Sequence, residues 1–240
     1  MDWFAAYASV AGKGHIRDGV PCQDSCLYVS LAAGWQLAIV CDGAGSALHS
    51  HKGSAFVVER LRQRLSACTF VEQTTLPAAD AWRAEIVRIL HEVHGELANL
   101  AEMEGQALKE YACTVVLALF RTEGALVAHI GDGRGAYRTQ TAGEWRALFT
   151  PFRGEEANET IFISSDIWGD EESRNTYVAS SVLQSPITAL ALTSDGCEKG
   201  SFLVNVFDEQ TQKYTDPNQP FAPFFEPNAK GVRQLHREGK

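Results

Sequence analysis

Three apolar stretches of this chain each end in an Asp-Gly pair, and this repetition constrains the fold more than any other feature of the sequence. The aliphatic and β-branched residues of each stretch predict a buried strand. The glycine after each aspartate predicts a tight turn or a close approach of the backbone to another group. The three stretches are Leu37–Gly43, Leu126–Gly133 and Ile187–Gly196.

A single Asp-Gly pair is most often a hairpin turn. Three strand ends of this kind indicate that Asp42, Asp132 and Asp195 gather at one edge of a sheet. A carboxylate in that position loses hydration, which is unfavourable unless a positive charge compensates it. Because Asp oxygens are hard ligands, a divalent cation such as Mg²⁺, Mn²⁺ or Ca²⁺ is the predicted compensation.

The composition excludes several classes of function. With 240 residues, 45% of them apolar, the chain can fill one sizeable core. Its net charge of −9 argues against a general nucleic-acid or anionic-membrane surface, and no stretch approaches the ~20 apolar residues of a membrane span. The N-terminus lacks the apolar core of a signal peptide, so we expect a cytoplasmic protein with reduced thiols. Cys22 and Cys26 lack a second Cys or His pair at a zinc spacing, so no zinc site is predicted.

Hydrophobic periodicity predicts two long helices early in the chain, with strands before and after them. The helices are predicted over 52–66 and 78–103, and the second carries His91 and His94, which we expect to be solvated. The predicted strands span 3–10, 24–33, 35–41, 111–120, 125–130, 136–139, 145–149, 161–163, 177–183 and 187–193. Loops are predicted over 12–21 and 154–158, an irregular segment over 210–227, and a helix that starts near 230 and stops. The lack of linkers predicts one α+β domain over residues 1–240.

Five short motifs follow one another along the chain: Gln23-Asp24, Cys41-Asp42-Gly43, Ala112-Cys113-Thr114, Gly131-Asp132-Gly133-Arg134 and Thr193-Ser194-Asp195-Gly196. In this order they resemble the protein phosphatase 2C family, the metal-dependent PPM serine/threonine phosphatases. The resemblance spans Gly12 to about Phe225 and is strongest to short, stand-alone bacterial members. It implies two stacked antiparallel sheets flanked by helices, a four-layer α-β-β-α sandwich with the metals at one end.

The same resemblance implies a role for each acidic residue. Two or three Mn²⁺ or Mg²⁺ ions would be bound, with a water between two of them attacking the phosphate ester. Asp42 would bridge two ions, the Gly43 carbonyl would add a backbone ligand, and Asp195 would bind the first ion. Asp132 would form a weaker third site with Asp195, and Asp24 would act through bound water.

Two departures from the family pattern concern the phosphate and the leaving group. The family commonly has an early arginine that holds the substrate phosphate, and Arg17 is the candidate here because its guanidinium can bind phosphate bidentately. Many relatives have a histidine where this chain has Ala44, so the proton donor would be water, His49 or His51. Arg134 is expected to form a structural ion pair rather than to take part in catalysis.

A third departure concerns the end of the chain. The family ends with an acidic pair followed by a final strand, and here both are expected to be missing. Asp208 and Asp216 are the acidic candidates, but no apolar strand follows either of them.

Three functions remain open. The first is a bacterial signalling enzyme that hydrolyses phosphoserine and phosphothreonine on proteins, opposed by a Ser/Thr kinase, as a monomer without nucleic-acid or membrane partners. The second is a catalytically impaired member of the same fold that serves as a binding or regulatory module. The third is a different metal- or nucleotide-binding protein in which the Asp-Gly pairs are ordinary turns.

Overall fold

The computed structural model describes residues 3–140, 143–152 and 160–239. The loop predicted over 154–158 lies outside the described residues. The strands are Ser25–Ser30 (β1), Gln36–Cys41 (β2), Val115–Arg121 (β3), Gly124–Ile130 (β4), Arg134–Thr139 (β5), Trp145–Ala147 (β6), Ala179–Leu183 (β7), Ile187–Thr193 (β8), Phe202–Leu203 (β9), Val206–Asp208 (β10), Lys213–Thr215 (β11) and Gln219–Pro220 (β12). The helices are Lys13–Asp18 (α1), Ser50–Ser66 (α2), Ala79–Met103 (α3), Glu171–Tyr177 (α4), Glu198–Ser201 (α5) and Ala222–Arg237 (α6).

The first sheet is antiparallel and has five strands in the order β1-β2-β3-β4-β7. Because side chains alternate along a strand, each of its strands presents one set of residues to each face. Leu37 and Leu117 lie on the outer face with the buried residues of α2 and α3, such as Leu61 and Trp82. This layer of helices on a sheet forms the largest apolar core among the described residues.

The second sheet is antiparallel, has three strands in the order β6-β5-β8, and packs on the inner face of the first. Ile187 and Leu190 contact Phe120 and Val127 across the gap between the sheets. The outer face of the second sheet packs against helix α6, largely through Phe225. The order helix, sheet, sheet, helix confirms the predicted α+β sandwich of two stacked antiparallel sheets flanked by helices.

Two predicted strands are wrong. Residues 3–10 adopt no regular structure and pair with no strand in the described parts of the chain, because a strand also requires a partner edge. Residues 161–163 form no strand, and their backbone is bonded instead to other parts of the chain: the Ile163 N–H donates to the Cys113 carbonyl (3.0 Å). The Ile163 carbonyl accepts a hydrogen bond from Trp168 Nε1 (2.9 Å). The same carbonyl oxygen lies 2.8 Å from His94 Nδ1, within hydrogen-bonding distance. His94 is therefore half-buried, and burial lowers its pKa, so the expectation of a solvated ring fails for this histidine.

Other differences concern the ends of the chain. The predicted loop over 12–21 contains helix α1, which ends at Gly19 in the left-handed conformation (φ 70°) that favours glycine. The segment predicted to be irregular over 210–227 contains β11 and β12, and helix α6 starts at Ala222, well before the predicted start near 230. A proline in the first turn of α6 is compatible with this start, since the first helical N–H groups have no intrahelical partner. Within the described ranges, no helix combines the length and apolarity needed to cross a membrane.

Candidate active site

The turn after β2 holds Asp42 by its backbone. The Asp42 N–H donates to Thr114 Oγ1 (3.1 Å), and the Thr114 N–H donates to the Asp42 carbonyl (2.8 Å). The next residue, Gly43, forms a β-bridge to Cys113. A Cβ atom on Gly43 would lie 2.4 Å from the Gln23 carbonyl oxygen, so a larger residue would force these two segments apart. The turn therefore requires glycine for close backbone packing, as the sequence predicted.

Two further aspartates meet Asp42 from different sheets. Asp24 precedes β1, and the antiparallel pairing of Ser25 with Cys41 places the start of β1 beside the end of β2. Asp195 follows β8 in the second sheet. The Asp42 carboxyl is hydrogen-bonded to the carboxyls of both Asp195 and Asp24. The three side chains thus meet at the seam between the two sheets.

Electrostatics at the seam are dominated by burial and by like charges. Burial raises the pKa of Asp42 to about 9, together with the negative charge of Asp24 and the hydrogen bond to Asp195. The pKa of Asp132 is also raised, first by burial and then by the charge of Asp195. Asp132 therefore belongs to the same electrostatic group, and Asp42 carries a proton at neutral pH when no cation is bound.

These carboxylates fit a divalent cation. The described residues contain no group of three or more His, Cys, Asp or Glu side chains arranged as a finished metal site. Nevertheless, Asp42 makes carboxyl-to-carboxyl hydrogen bonds, and partly buried carboxylates escape mutual repulsion either by sharing a proton or by binding a cation. The donor set consists of hard oxygen atoms, which suits Mg²⁺ and Mn²⁺.

A hydrogen bond from Ser194 also ties the two sheets together at the seam. The Ser194 hydroxyl donates to Asp24 Oδ2 (3.2 Å), so the residue before Asp195 orients the aspartate before β1. Thr114 and Ser194 lie within two of the sequence motifs, but no role was predicted for either residue. Their hydroxyls are the positioning groups of Asp24 and Asp42, and the only signal for them was their place in those motifs.

Arg134 forms the predicted ion pair. Its side chain is fully buried and donates to Glu198 (3.0 Å), Asp216 and Asn218. Arg134 lies two residues after Asp132, and Glu198 lies three residues after Asp195. Their ion pair therefore connects the segment that follows Asp132 with the segment that follows Asp195. Asp216, which the sequence left open as a metal ligand, instead binds a buried guanidinium.

The other predicted residues of the site lie as follows. Arg17 is on α1, its side chain is 78% exposed, and it forms an ion pair with the adjacent Asp18 (2.7 Å). Its role toward phosphate stays a prediction. Ala44 is buried and offers no proton donor, and the ring of His49 packs on Tyr111 (centroids 5.3 Å apart).

Comparison with known proteins identifies the family of the chain. The sequence profile of the protein phosphatase 2C family matches residues 11–238. Serine/threonine-protein phosphatase 3 of Escherichia coli (strain K12) is 28% identical over 242 residues, which cover 99% of this chain and 86% of that protein. Among solved structures, the serine/threonine phosphatase Stp1 from Staphylococcus aureus aligns with a TM-score of 0.54 at 16% identity, over 90% of this chain and 83% of that chain. A bacterial serine phosphatase carrying an arginine-to-glutamate mutation aligns with a TM-score of 0.53 at 17% identity, over 89% of this chain and 83% of that chain.

These two structures support the fold, and the profile match assigns the chain to a family. The chain belongs to the protein phosphatase 2C family, whose members are metal-dependent serine/threonine phosphatases.

Proposed function

We propose that this chain hydrolyses phosphoserine and phosphothreonine on protein substrates at the seam between its two sheets. The observation that carries the proposal is the carboxyl group of Asp42, which is partly buried and hydrogen-bonded to both Asp24 and Asp195. A partly buried carboxyl group placed against two further carboxyl groups has no structural benefit of its own. It serves a reaction that requires divalent cations beside a phosphate ester.

The residues that would hold Mn²⁺ or Mg²⁺ are those predicted from the sequence. Asp42 and the Gly43 carbonyl, with Asp195, would bind two ions, Asp132 would contribute to a third, and Asp24 would act through water. Bound cations supply charge neutralisation of the phosphoryl oxygens and a water of lowered pKa. The chain itself fixes the ligands in advance, since Thr114 holds the backbone of Asp42 and Ser194 orients Asp24.

We assign the phosphate contact to Arg17. Its partner Asp18 is its neighbour in sequence, and both side chains are more than half exposed. Exposed ion pairs contribute only about 0–1 kcal/mol, so a phosphate dianion can displace Asp18 without a large penalty. The fork of the guanidinium then offers two parallel N–H donors to two phosphoryl oxygens.

A second candidate is a metal-binding or regulatory module that has lost turnover. Ala44 at a position where many relatives have a histidine favours it, as does the lack of a finished metal group among the described residues. For either function we propose one domain over residues 1–240 that acts as a cytoplasmic monomer. As a phosphatase it would be opposed by a Ser/Thr kinase.

The two candidates are separated by phosphate release from a phosphothreonine peptide, measured as a function of Mn²⁺ concentration. We expect Mn²⁺-dependent turnover that falls about a thousandfold or more in Asp42→Asn, which corresponds to roughly 4 kcal/mol of transition-state stabilisation. Asp80→Asn, an exposed aspartate on α3, is the matched control and should keep its activity. Calorimetric Mn²⁺ binding without turnover would select the binding module, and activity of Asp42→Asn within threefold of the parent would remove Asp42 from the catalytic role.

A further inference from the structure

Helix α2 carries two buried serines in its first turns, beside the seam. Ser50 and Ser54 are both fully buried, and the buried residues of the later turns of α2 are apolar. Serine favours a helix less than alanine does, and a buried hydroxyl is unfavourable unless it forms a hydrogen bond. The two serines therefore call for partners that explain their place in the helix.

The hydroxyl of Ser54 contacts the residues on both sides of Asp24. Ser54 Oγ donates to the Gln23 carbonyl oxygen (2.6 Å) and lies 3.0 Å from Ser25 Oγ. A longer contact joins it to the His51 carbonyl (3.3 Å) within the helix. Because a hydroxyl has a single proton and the shortest contact uses it, the Ser25 hydroxyl donates to Ser54. The residues before and after Asp24 are thus bound to the same buried oxygen atom.

The Gln23 carbonyl is confined between α2 and the turn after β2. A Cβ atom on Gly43 would lie 2.4 Å from this carbonyl oxygen, so the turn packs closely against it. The Gln23 carbonyl belongs to the peptide that directly precedes Asp24. The orientation of this peptide sets the direction in which the Asp24 side chain leaves the backbone. Ser54 therefore acts on the direction of that carboxyl group.

The backbone of Asp24 needs such a contact because it lies outside the paired strand. The register of β1 with β2 begins at Ser25, which pairs with Cys41. The Asp24 carboxyl is bonded to the Ser194 hydroxyl (3.2 Å) and to the carboxyl of Asp42. Ser194 and Asp42 thus hold the end of the side chain, whereas Ser54 holds the backbone from which it starts.

The hydroxyl of Ser54 is not needed to attach α2 to the sheet. Val57, Leu61 and Leu65 of this helix are fully buried in the main core. Alanine at position 54 would occupy less space than serine and would favour the helix more. The hydroxyl therefore serves the segment around Asp24 rather than the helix that carries it.

We propose that Ser54 is a positioning residue that orients Asp24 for the binding of divalent cations. The inference rests on the proposed function, in which Asp24 acts on the cations through water. Loss of the hydroxyl removes the donor to the Gln23 carbonyl, and a buried carbonyl that loses its donor is unfavourable. The peptide before Asp24 then shifts, and its carboxyl group leaves the place it has beside Asp42.

The test is the apparent Kd for Mn²⁺, measured by calorimetry on the full chain, together with the melting temperature in EDTA. Ser54→Ala should weaken Mn²⁺ binding about tenfold, which corresponds to about 1.4 kcal/mol. Ser50→Ala is the matched control, since it removes an equally buried hydroxyl of the same helix, whose hydrogen bond goes to the Ala47 carbonyl (3.1 Å). Both variants should lower the melting temperature similarly, but Ser50→Ala should bind Mn²⁺ within about twofold of the parent.

A double variant separates an effect through Asp24 from a general loss of structure. In an Asp24→Asn background, Ser54→Ala should change the Kd for Mn²⁺ by less than about twofold, because the carboxylate it orients is already gone. Ser25→Ala keeps the bond from Ser54 to the Gln23 carbonyl and should weaken binding only about two- to threefold. If Ser54→Ala does not fold, Ser25→Ala decides, and an unchanged Kd in this variant overturns the proposal.

The proposal is also overturned by an unchanged Kd in Ser54→Ala, by an equal loss of affinity in Ser50→Ala, or by the full loss in the Asp24→Asn background. Failure of the proposed function gives a different result. The parent would then bind Mn²⁺ but release no phosphate from a phosphothreonine peptide, and the comparison of affinities would still decide the role of Ser54. A parent that binds no Mn²⁺ overturns both.

Discussion

The two sheets present the aspartates of the site from very different surroundings. The first sheet is covered by α2 and α3, and six of the seven residues of β3 are buried. The outer face of the second sheet packs against Phe225 of α6 and Phe202 of β9, and β8 remains half-buried along nearly its whole length. Asp24 and Asp42 belong to the densely packed half, whereas Asp195 ends the loosely packed strand and is exposed. The difference indicates that packing holds Asp24 and Asp42 more firmly than it holds Asp195.

The largest expected effect on stability comes from Arg134, which holds the loosely packed half in place. Arg134→Met leaves Glu198 and Asp216 without their buried cation, and breaking such a cluster costs about 3–5 kcal/mol. Arg138→Met is the control, because its ion pair with Glu226 lies nearer the surface and should cost less than about 1 kcal/mol. Urea unfolding followed by tryptophan fluorescence measures both. Similar losses in the two variants would show that Arg134 does not anchor the second sheet.

The second prediction compares matching leucines of the two sheets directly. Leu117 on β3 is fully buried beneath the helices, and Leu190 on β8 is half-buried. Leu117→Ala should cost about 2–5 kcal/mol of unfolding free energy, because a cavity remains in a core that cannot collapse around it. Leu190→Ala should cost about 1–2 kcal/mol, since less apolar area is lost there. Equal losses would contradict the contrast between the sheets.

The third prediction concerns pH in the metal-free protein. The pKa of Asp42 is about 9 in the folded chain and has its ordinary value near 3.8 when the chain unfolds, so the folded state binds the proton more tightly. The resulting stabilisation is complete below about pH 4 and is lost as the pH rises toward 9. In EDTA, the melting temperature of the parent should therefore fall over this range relative to Asp42→Asn. Parallel curves for the two proteins would mean that the Asp42 carboxyl is not held protonated.

The smallest effect is expected at the exposed thiol beside the seam. Cys197 is exposed, whereas Cys41 and Cys113 are buried next to each other. Although the residue is exposed, partial desolvation of the Cys197 thiol and the charges of Asp24 and Asp195 raise its pKa, so its alkylation should be slow at pH 7 and faster at pH 9. Alkylation should reduce turnover severalfold by obstructing the seam. Cys197→Ser should remain active within about twofold and resist alkylation, and an inactive variant would instead indicate a packing role for the thiol.

The elements that the sequence predicted well are those whose pattern is local. Helix α3 was predicted over 78–103 and spans Ala79–Met103, because its apolar residues recur at helical spacing. Residues 3–10 are apolar and aromatic enough to predict a strand, but a strand needs a partner edge, and pairing is not encoded in the segment itself. The same limit explains why the start of α6 was not predicted. Its first residues are rich in proline and predict an irregular segment, whereas the packing of Phe225 on Trp145 is a tertiary contact that the local sequence does not show.

The site shows the same division. Asp42, Asp132 and Asp195 were predicted because each ends an apolar stretch, whereas Asp24 was implied by the family resemblance. The structure brings Asp24, Asp42 and Asp195 together. The partners that hold them were not assigned, because Thr114 and Ser194 act on residues distant in sequence. An ion pair was expected for Arg134, but its partners Glu198 and Asp216 follow from tertiary structure alone.

The seam at which Asp42 meets Asp195 has a consequence for the lifetime of the protein. A ligand that binds only the folded chain and contacts both sheets adds RT ln(1 + [L]/Kd) to stability, about 2.7 kcal/mol at a hundredfold excess over Kd. A cation at this seam would act as a removable cross-link between the dense and the loose half of the sandwich. Starvation for that cation would then increase the unfolded fraction as well as stop turnover, and proteases would remove the chain faster. The amount of enzyme in a cell would follow the supply of its metal.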